Sequence, residues 1–320
     1  MEASQYFIKD NGEIILSPAF CITLFTNTPV SRDKSPSGLL SPYHKILNDF
    51  DGEFLFANYD FDQQWPVKIT KEILLSPDRW LSDPLSRSKD SNFIFLCNGE
   101  SSRLHSLPFF YWYYSNVVNK YQSYYRLEVS LNWKNSLSAN DIDDYIIQLI
   151  DEYPLVCGYA GYTISCDHGL MLGRIDLQQY IYHWYRRHPG FMNMYPASEV
   201  QSLSDGPVLC SIGWITLLGG ELCSKMGGEA ALREKLKDVS GIVIKSLPGN
   251  GVLIRIGERP QLGDVNKGDI LDAYCAVGQI LRPIAVDDFD KLADTVVVEG
   301  FYDKPESEQI DWLGRFFEKK

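Results

Sequence analysis

The sequence predicts an α+β protein of two tightly fused halves, residues 1–170 and 171–320, each with helices packed on a mostly antiparallel or mixed sheet. Three observations carry this. Segments of strand-like and of helical apolar spacing follow one another in both halves. The second half restates the theme of the first with variations. Apolar residues make up 45% of the 320 and aromatic ones 13%, enough for a large core on both sides of the boundary.

Glu13 to Thr26, rich in Ile, Leu, Phe and Thr, reads as a strand interrupted near Pro18. Residues 31–38 mix charges with Ser, Pro and Gly and read as a loop. Ser41-Pro42 opens a helix through Phe50, with proline in the first turn, where its missing N–H costs little. Ser76-Pro77 opens a shorter helix in the same way. Asn92 to Asn98 and Phe109 to Tyr114 read as strands. Tyr125 to Trp133 alternates, with Leu127, Val129 and Leu131 on one face and Glu128, Ser130 and Asn132 on the other. Ser138 precedes a helix from Asp141 to Ile150, whose first-turn acids suit the positive end of the helix dipole. Leu155 to Ser165 returns as a strand and completes a β-α-β unit.

In the second half, Leu177 to His188 reads as a helix stopped by Pro189-Gly190. Val208 to Leu218 reads as a strand passing into a helix through Cys223. Gly228 to Lys237 is helical. Gly241 to Ser246 and Val252 to Ile256, joined by Leu-Pro-Gly-Asn-Gly251, form a hairpin. Asp269 to Ile284 is an amphipathic helix ended at Pro283, and Ile310 to Phe317 a last docking helix.

Net charge is −12 and the pI about 4.9. Such a surface repels nucleic acid and anionic membranes and attracts basic proteins. The seven cysteines are odd in number, scattered and mostly set in apolar runs. They read as buried thiols in a reducing cytoplasm, not as a disulfide framework. Met1 to Tyr6 has neither the basic region nor the apolar stretch of a signal peptide, and no apolar window reaches membrane-span length. The expected location is cytoplasmic.

Catalytic motifs are not legible. Cys210-Ser211-Ile212-Gly213 lacks the leading glycine of a nucleophile elbow, and no glycine-rich phosphate loop occurs. Cys166-Asp167-His168 offers three metal ligands without zinc spacing. Asp60-Phe-Asp62 and Asp287-Asp288-Phe-Asp290 could hold a hard cation, and read equally as solvated loop. No cofactor and no metal is expected. The aromatic runs Phe109 to Tyr114 and Tyr180 to Tyr185 read as packed strand and half-buried helix, with a binding face as the alternative. Gly257-Glu-Arg-Pro-Gln-Leu-Gly-Asp264 reads as a turn after an alternating strand. In it Asp264 caps the next helix or its loop, and Arg259 is available to lock the turn onto a carboxylate.

The ordered set Gly158-Tyr-Ala-Gly161, His188-Pro189-Gly190, Trp214-Ile-Thr-Leu-Leu-Gly, Met226-Gly227-Gly228, Gly257 to Asp264 and Leu281-Arg-Pro283-Ile284 resembles the bacterial immunity proteins of type VI secretion systems. The resemblance spans most of the chain and is clearest from Tyr153 to Ile284. It implies a protein that binds a toxin delivered by sister cells, in known relatives a nuclease, and occludes its active site. It implies no catalytic residue. An acidic protein can fill a basic nuclease cleft as a phosphate mimic. Candidate contacts are Asp141, Asp143 and Asp144 on one helix, Glu258 and Asp264 at the turn, and Asp287, Asp288 and Asp290. Each cluster reads also as a solvated face. The alternatives are a metal-dependent enzyme using Asp167, His168 or the paired aspartates, and an adaptor with an aromatic binding face.

Overall fold

A computed structural model describes residues 7–10, 13–28, 38–58, 67–83, 91–97, 107–117, 120–166, 175–194, 196, 199, 206–287, 289, 298, 300–301 and 303–318. The first elements are β1 (Ile8–Asp10), β2 (Glu13–Thr26), α1 (Ser41–Asp49), β3 (Phe56–Asn58), β4 (Val67–Lys68), α2 (Lys71–Leu74), α3 (Ser76–Ser82), β5 (Ser91–Cys97), β6 (Phe109–Val117), β7 (Lys120–Val129), α4 (Leu131–Asn135), α5 (Ala139–Leu149) and β8 (Cys157–Cys166). There follow α6 (Ile175–Arg187), β9 (Ile215–Leu218), α7 (Gly220–Lys225), α8 (Gly228–Leu236), β10 (Ile242–Leu247), β11 (Gly251–Ile256), α9 (Asp272–Leu281) and α10 (Glu306–Leu313).

The α+β class holds. Eleven strands form one sheet, ordered β10-β11-β9-β8-β2-β7-β6-β5-β3-β4, with β1 beside the start of β2. The pairs along it are antiparallel. Strands from both sides of residue 170 share this sheet, and residue 170 itself lies outside the described residues.

β2 is the spine. Its residues Leu16 to Phe25 pair with β8 on one side, and Phe20 to Thr26 pair with β7 on the other. Every residue from Ile15 to Thr26 is buried, which is why the segment reads as an apolar run. The expected interruption at Pro18 does not occur. β1 pairing ends at Leu16 and β7 pairing begins at Phe20, so Pro18 sits at a gap in the ladder, where a residue without an N–H fits.

One sheet face carries Phe110, Trp112 and Tyr125. α1 and α3 cover it, with Tyr43 and Phe110 ring centroids 5.8 Å apart and Trp80 and Trp112 5.7 Å apart. The other face carries Arg126 and Glu128, which are buried although charged. Arg126 Nε donates to Glu128 Oε1 at 2.6 Å, and the same guanidinium reaches Thr23 and Thr163. Ion pairing lets Glu128 occupy an interior position. β7 also ends earlier than its alternation suggests. Ser130 accepts the Trp133 N–H at 3.2 Å and starts α4, so Leu131, Asn132 and Trp133 are helical.

On this buried face Tyr159 donates to Glu199 Oε2 at 2.6 Å. Burial pushes the Glu199 carboxyl up from 4.5 to about 7, against the pull of Tyr159 and Arg126. The folded protein therefore holds a proton that the unfolded chain releases between pH 4.5 and 7. Stability from this group is present at acid pH and falls as pH rises through that window, by about 3 kcal/mol in total. Glu199→Gln is expected to flatten this slope and to raise the unfolding temperature at pH 8 more than at pH 5. Equal slopes in thermal unfolding of both proteins would refute the assignment.

Among the described residues Cys21, Cys157, Cys166, Cys210 and Cys223 are buried outside any disulfide, as read, and Cys275 is half-buried. Burial pushes the Cys21 thiol up to about 11. In the aromatic runs Phe109, Phe110, Trp112, Ile181 and Tyr185 are core, while Tyr180 is exposed. Among the described residues no helix is long and apolar enough to cross a membrane.

Candidate functional site

The turn after β11 gathers the scattered motifs. Gly257 and Gly263 both adopt positive φ, at 72° and 67°, which lets the chain reverse twice within eight residues. Trp214 Nε1 donates to the Gly257 carbonyl at 3.2 Å. The Gly190 N–H donates to the Leu262 carbonyl at 2.8 Å. A Cβ on Gly190 would stand 2.0 Å from the Gln261 oxygen, so only glycine permits this approach. His188 donates through Nδ1 to the Gly263 carbonyl, and burial holds its pKa below the usual histidine value.

Arg187 closes the turn. Its guanidinium forks onto Asp264 at 3.0 and 2.8 Å and holds that carboxyl down at about 2. Asp264 also accepts the Asn266 N–H at 3.2 Å, the capping role expected of it. Arg259 does not lock the turn. Among the described residues it has no carboxylate partner and is exposed; Arg255 takes that part instead.

Arg255 and Lys245 organise the acids of α5. Arg255 donates from Nε to Asp143 Oδ2, from Nη1 to Glu258 and from Nη2 to Asn140, each at 3.1 Å. Lys245 lies 3.2 Å from Asp143 and 2.9 Å from Asp144. Asp141 caps α5 in a reciprocal box with Ser138. Burial pushes the Asp143 carboxyl up, with Arg255 and Lys245 pulling it back. The structure thus brings Asp141, Asp143, Asp144 and Glu258 into one cluster. Asp143 is buried, while Asp141, Asp144 and Glu258 are exposed. Asp264 sits apart with Arg187. Asp287 is exposed, and its backbone carbonyl accepts from Arg282 at 3.3 Å. Asp288 and Asp290 lie outside the described residues, as do Asp60, Asp62, Asp167 and His168.

Between α4, the start of α5 and the turn lies a cleft of about 980 Å³, lined among others by Lys134, Tyr162, Arg187, Glu258, Arg259 and Asp264. Lys134 is only 4% exposed, and its Nζ stands 5.3 Å over the Trp214 ring. Burial first, and then the Arg259 charge, push its pKa down. Sequence reasoning missed Lys134, because the strand pattern was carried past Ser130. It missed Arg255 too, although the alternation of Val252, Ile254 and Ile256 already turns that residue to the opposite face from them.

The described residues thus place a charged cleft beside a shoulder of carboxylates on an antiparallel sheet scaffold. The chain belongs to the TsiV family, described as type VI immunity for VRR-NUC, whose model matches residues 99–316 and so takes in the whole cleft. That makes it a type VI immunity protein whose counterpart is a nuclease effector. Its fold is similar to that of a T6SS protein of Pseudomonas aeruginosa, with a TM-score of 0.71 and 17% identity over 96% of this chain and 83% of that one. No curated protein matches the chain.

Proposed function

We propose that this protein protects its cell from the cytoplasm by binding the cognate effector nuclease and covering its active site, without transforming a substrate itself. The observation that carries this reading is the acidic shoulder. Asp141, Asp144 and Glu258 are exposed on a chain of net charge −12; Lys245 holds Asp144, Arg255 holds Glu258, and the Ser138 cap holds Asp141. A nuclease surface that grips phosphates is basic, and fixed carboxylates answer it without an ordering cost at the moment of binding. Asp143 and Asp264 serve from below by fixing the shoulder and the turn. Asp287, Asp288 and Asp290 extend the acidic candidates along the chain.

Co-expression should rescue growth of cells carrying the effector, and the purified pair should form a stable complex whose association rate falls with added salt. The double variant Asp144→Lys, Glu258→Lys should slow association by about tenfold at low salt, read on folded protein, because each reversal also sets a cation beside Lys245 or Arg255 and lowers the unfolding temperature. Failure of the intact protein to bind or protect would overturn the proposal.

A further inference from the structure

We propose that the cleft between α4 and the Gly257 to Asp264 turn receives an acidic side chain of the bound protein, gripped by Lys134 and Arg259. This rests on the immunity reading only in taking the bound protein to be the effector. Lys134 is more than nine-tenths buried, yet among the described residues its ammonium makes no hydrogen bond and no ion pair. The face of Trp214 lies 5.3 Å from it. At the wall of the cleft an ammonium without a counter-charge among the described residues attracts an entering carboxylate. Arg259 lines the same opening, is exposed, and finds no carboxylate among the described residues. Its fork suits a two-oxygen acceptor. Arg187, also at the cleft, is already engaged by Asp264. Lys134 and Arg259 thus face the opening without a carboxylate partner among the described residues, while of the acids that line it Glu258 is held by Arg255, Asp264 by Arg187, and Asp269 stands on the far loop.

The surroundings favour a protein as the occupant over a free ion. Val265 and Ile270 are 54% and 70% exposed, on the loop whose Lys267 and Asp269 line the cleft. Exposed apolar side chains flanking a charged pocket give a partner chain contact area that an inorganic anion cannot use. The volume, about 980 Å³, admits a side chain with its backbone. The shoulder then supplies attraction to a basic surface, and the cleft fixes register by selecting one acid within it.

The test uses the full chain and the cognate effector. Arg259→Gln and Lys134→Met should each raise Kd by about tenfold or more, chiefly through faster dissociation. Shoulder reversals, by contrast, should act on association. Arg259 is exposed, so Arg259→Gln should melt with the wild type and remains informative even if Lys134→Met folds poorly. Wild-type binding with both folded variants within about twofold of it overturns the cleft assignment and leaves the immunity reading intact. No wild-type complex overturns both. Titration of the free protein with sodium phosphate and with sodium acetate forms the last arm. Saturable binding that Arg259→Gln abolishes, with effector affinity unchanged, would make the cleft a small-anion site and overturn the proposal.

Discussion

Arg255→Met is expected to destabilise the protein by about 3–5 kcal/mol, the usual penalty for stranding one half of a buried ion pair. The Arg255 side chain is 2% exposed and that of Asp143 0%. Removing the guanidinium leaves Asp143 with Lys245 alone, at 3.2 Å and itself partly exposed. It also frees Asn140 and Glu258 from their tie to β11. The cost has a predictable pH dependence. Burial already raises the Asp143 carboxyl, and without Arg255 it rises further, so the folded variant takes up a proton more readily than the unfolded chain. The loss is therefore largest at neutral pH and shrinks as pH falls through the carboxylate range. Arg255→Met combined with Asp143→Leu should recover a large part of it, because neither charge then needs a partner. Urea unfolding at pH 5 and 8 measures all of this. A loss below about 1 kcal/mol at pH 8 would mean that the pair is solvated and does not brace the sheet.

What was legible in the sequence is what short range dictates. The helix after Ser138, the Ser-Pro helix openings, the hairpin of β10 and β11 and the capping Asp264 all depend on residues a few positions apart, and all appear, the first of them starting two residues earlier than read. The mixed outcome at β7 shows the limit. Alternation sets Glu128 opposite Leu127 and Val129 but does not show that it is fully buried, paired with Arg126, whose guanidinium is held in turn by Thr23 and Thr163 from other strands. Asp143 fails in the same way. Its partner Arg255 lies 112 positions along the chain, and nothing local announces it. Between the two arginines of one turn, burial decided: Arg255, on the strand, is drawn into the ion-pair cluster, and Arg259, beyond it, is left facing the cleft. The cleft was invisible for that reason. It is made by the meeting of α4 with the turn, and Lys134 enters it only because Ser130 ends β7 and starts a helix.

Trp214→Ala should cost about 3–5 kcal/mol, as large aromatic truncations in packed cores do, while Trp214→Phe should cost about 1 kcal/mol. The difference lies in the indole's contacts. It is 1% exposed, meets Phe20 edge-on at 6.0 Å, and lies under the Lys134 ammonium at 5.3 Å. Phenylalanine keeps an aromatic ring at that position and loses the N–H bond to the Gly257 carbonyl and the volume of the second ring. That carbonyl still accepts from Arg255 Nη1 at 2.7 Å, so it is not orphaned. Alanine instead opens a cavity beneath the turn and removes the floor on which Lys134 rests. Two readouts should then separate. Stability drops in Trp214→Ala, and among the molecules that remain folded, effector affinity drops as well, because the buried ammonium loses its fixed position. In Trp214→Phe both should stay near wild type. If Trp214→Ala unfolds at nearly the wild-type urea midpoint, the indole does not support the turn. If it loses stability but binds the effector as tightly as Trp214→Phe does, the residue serves the fold alone and Lys134 needs no platform to meet its partner.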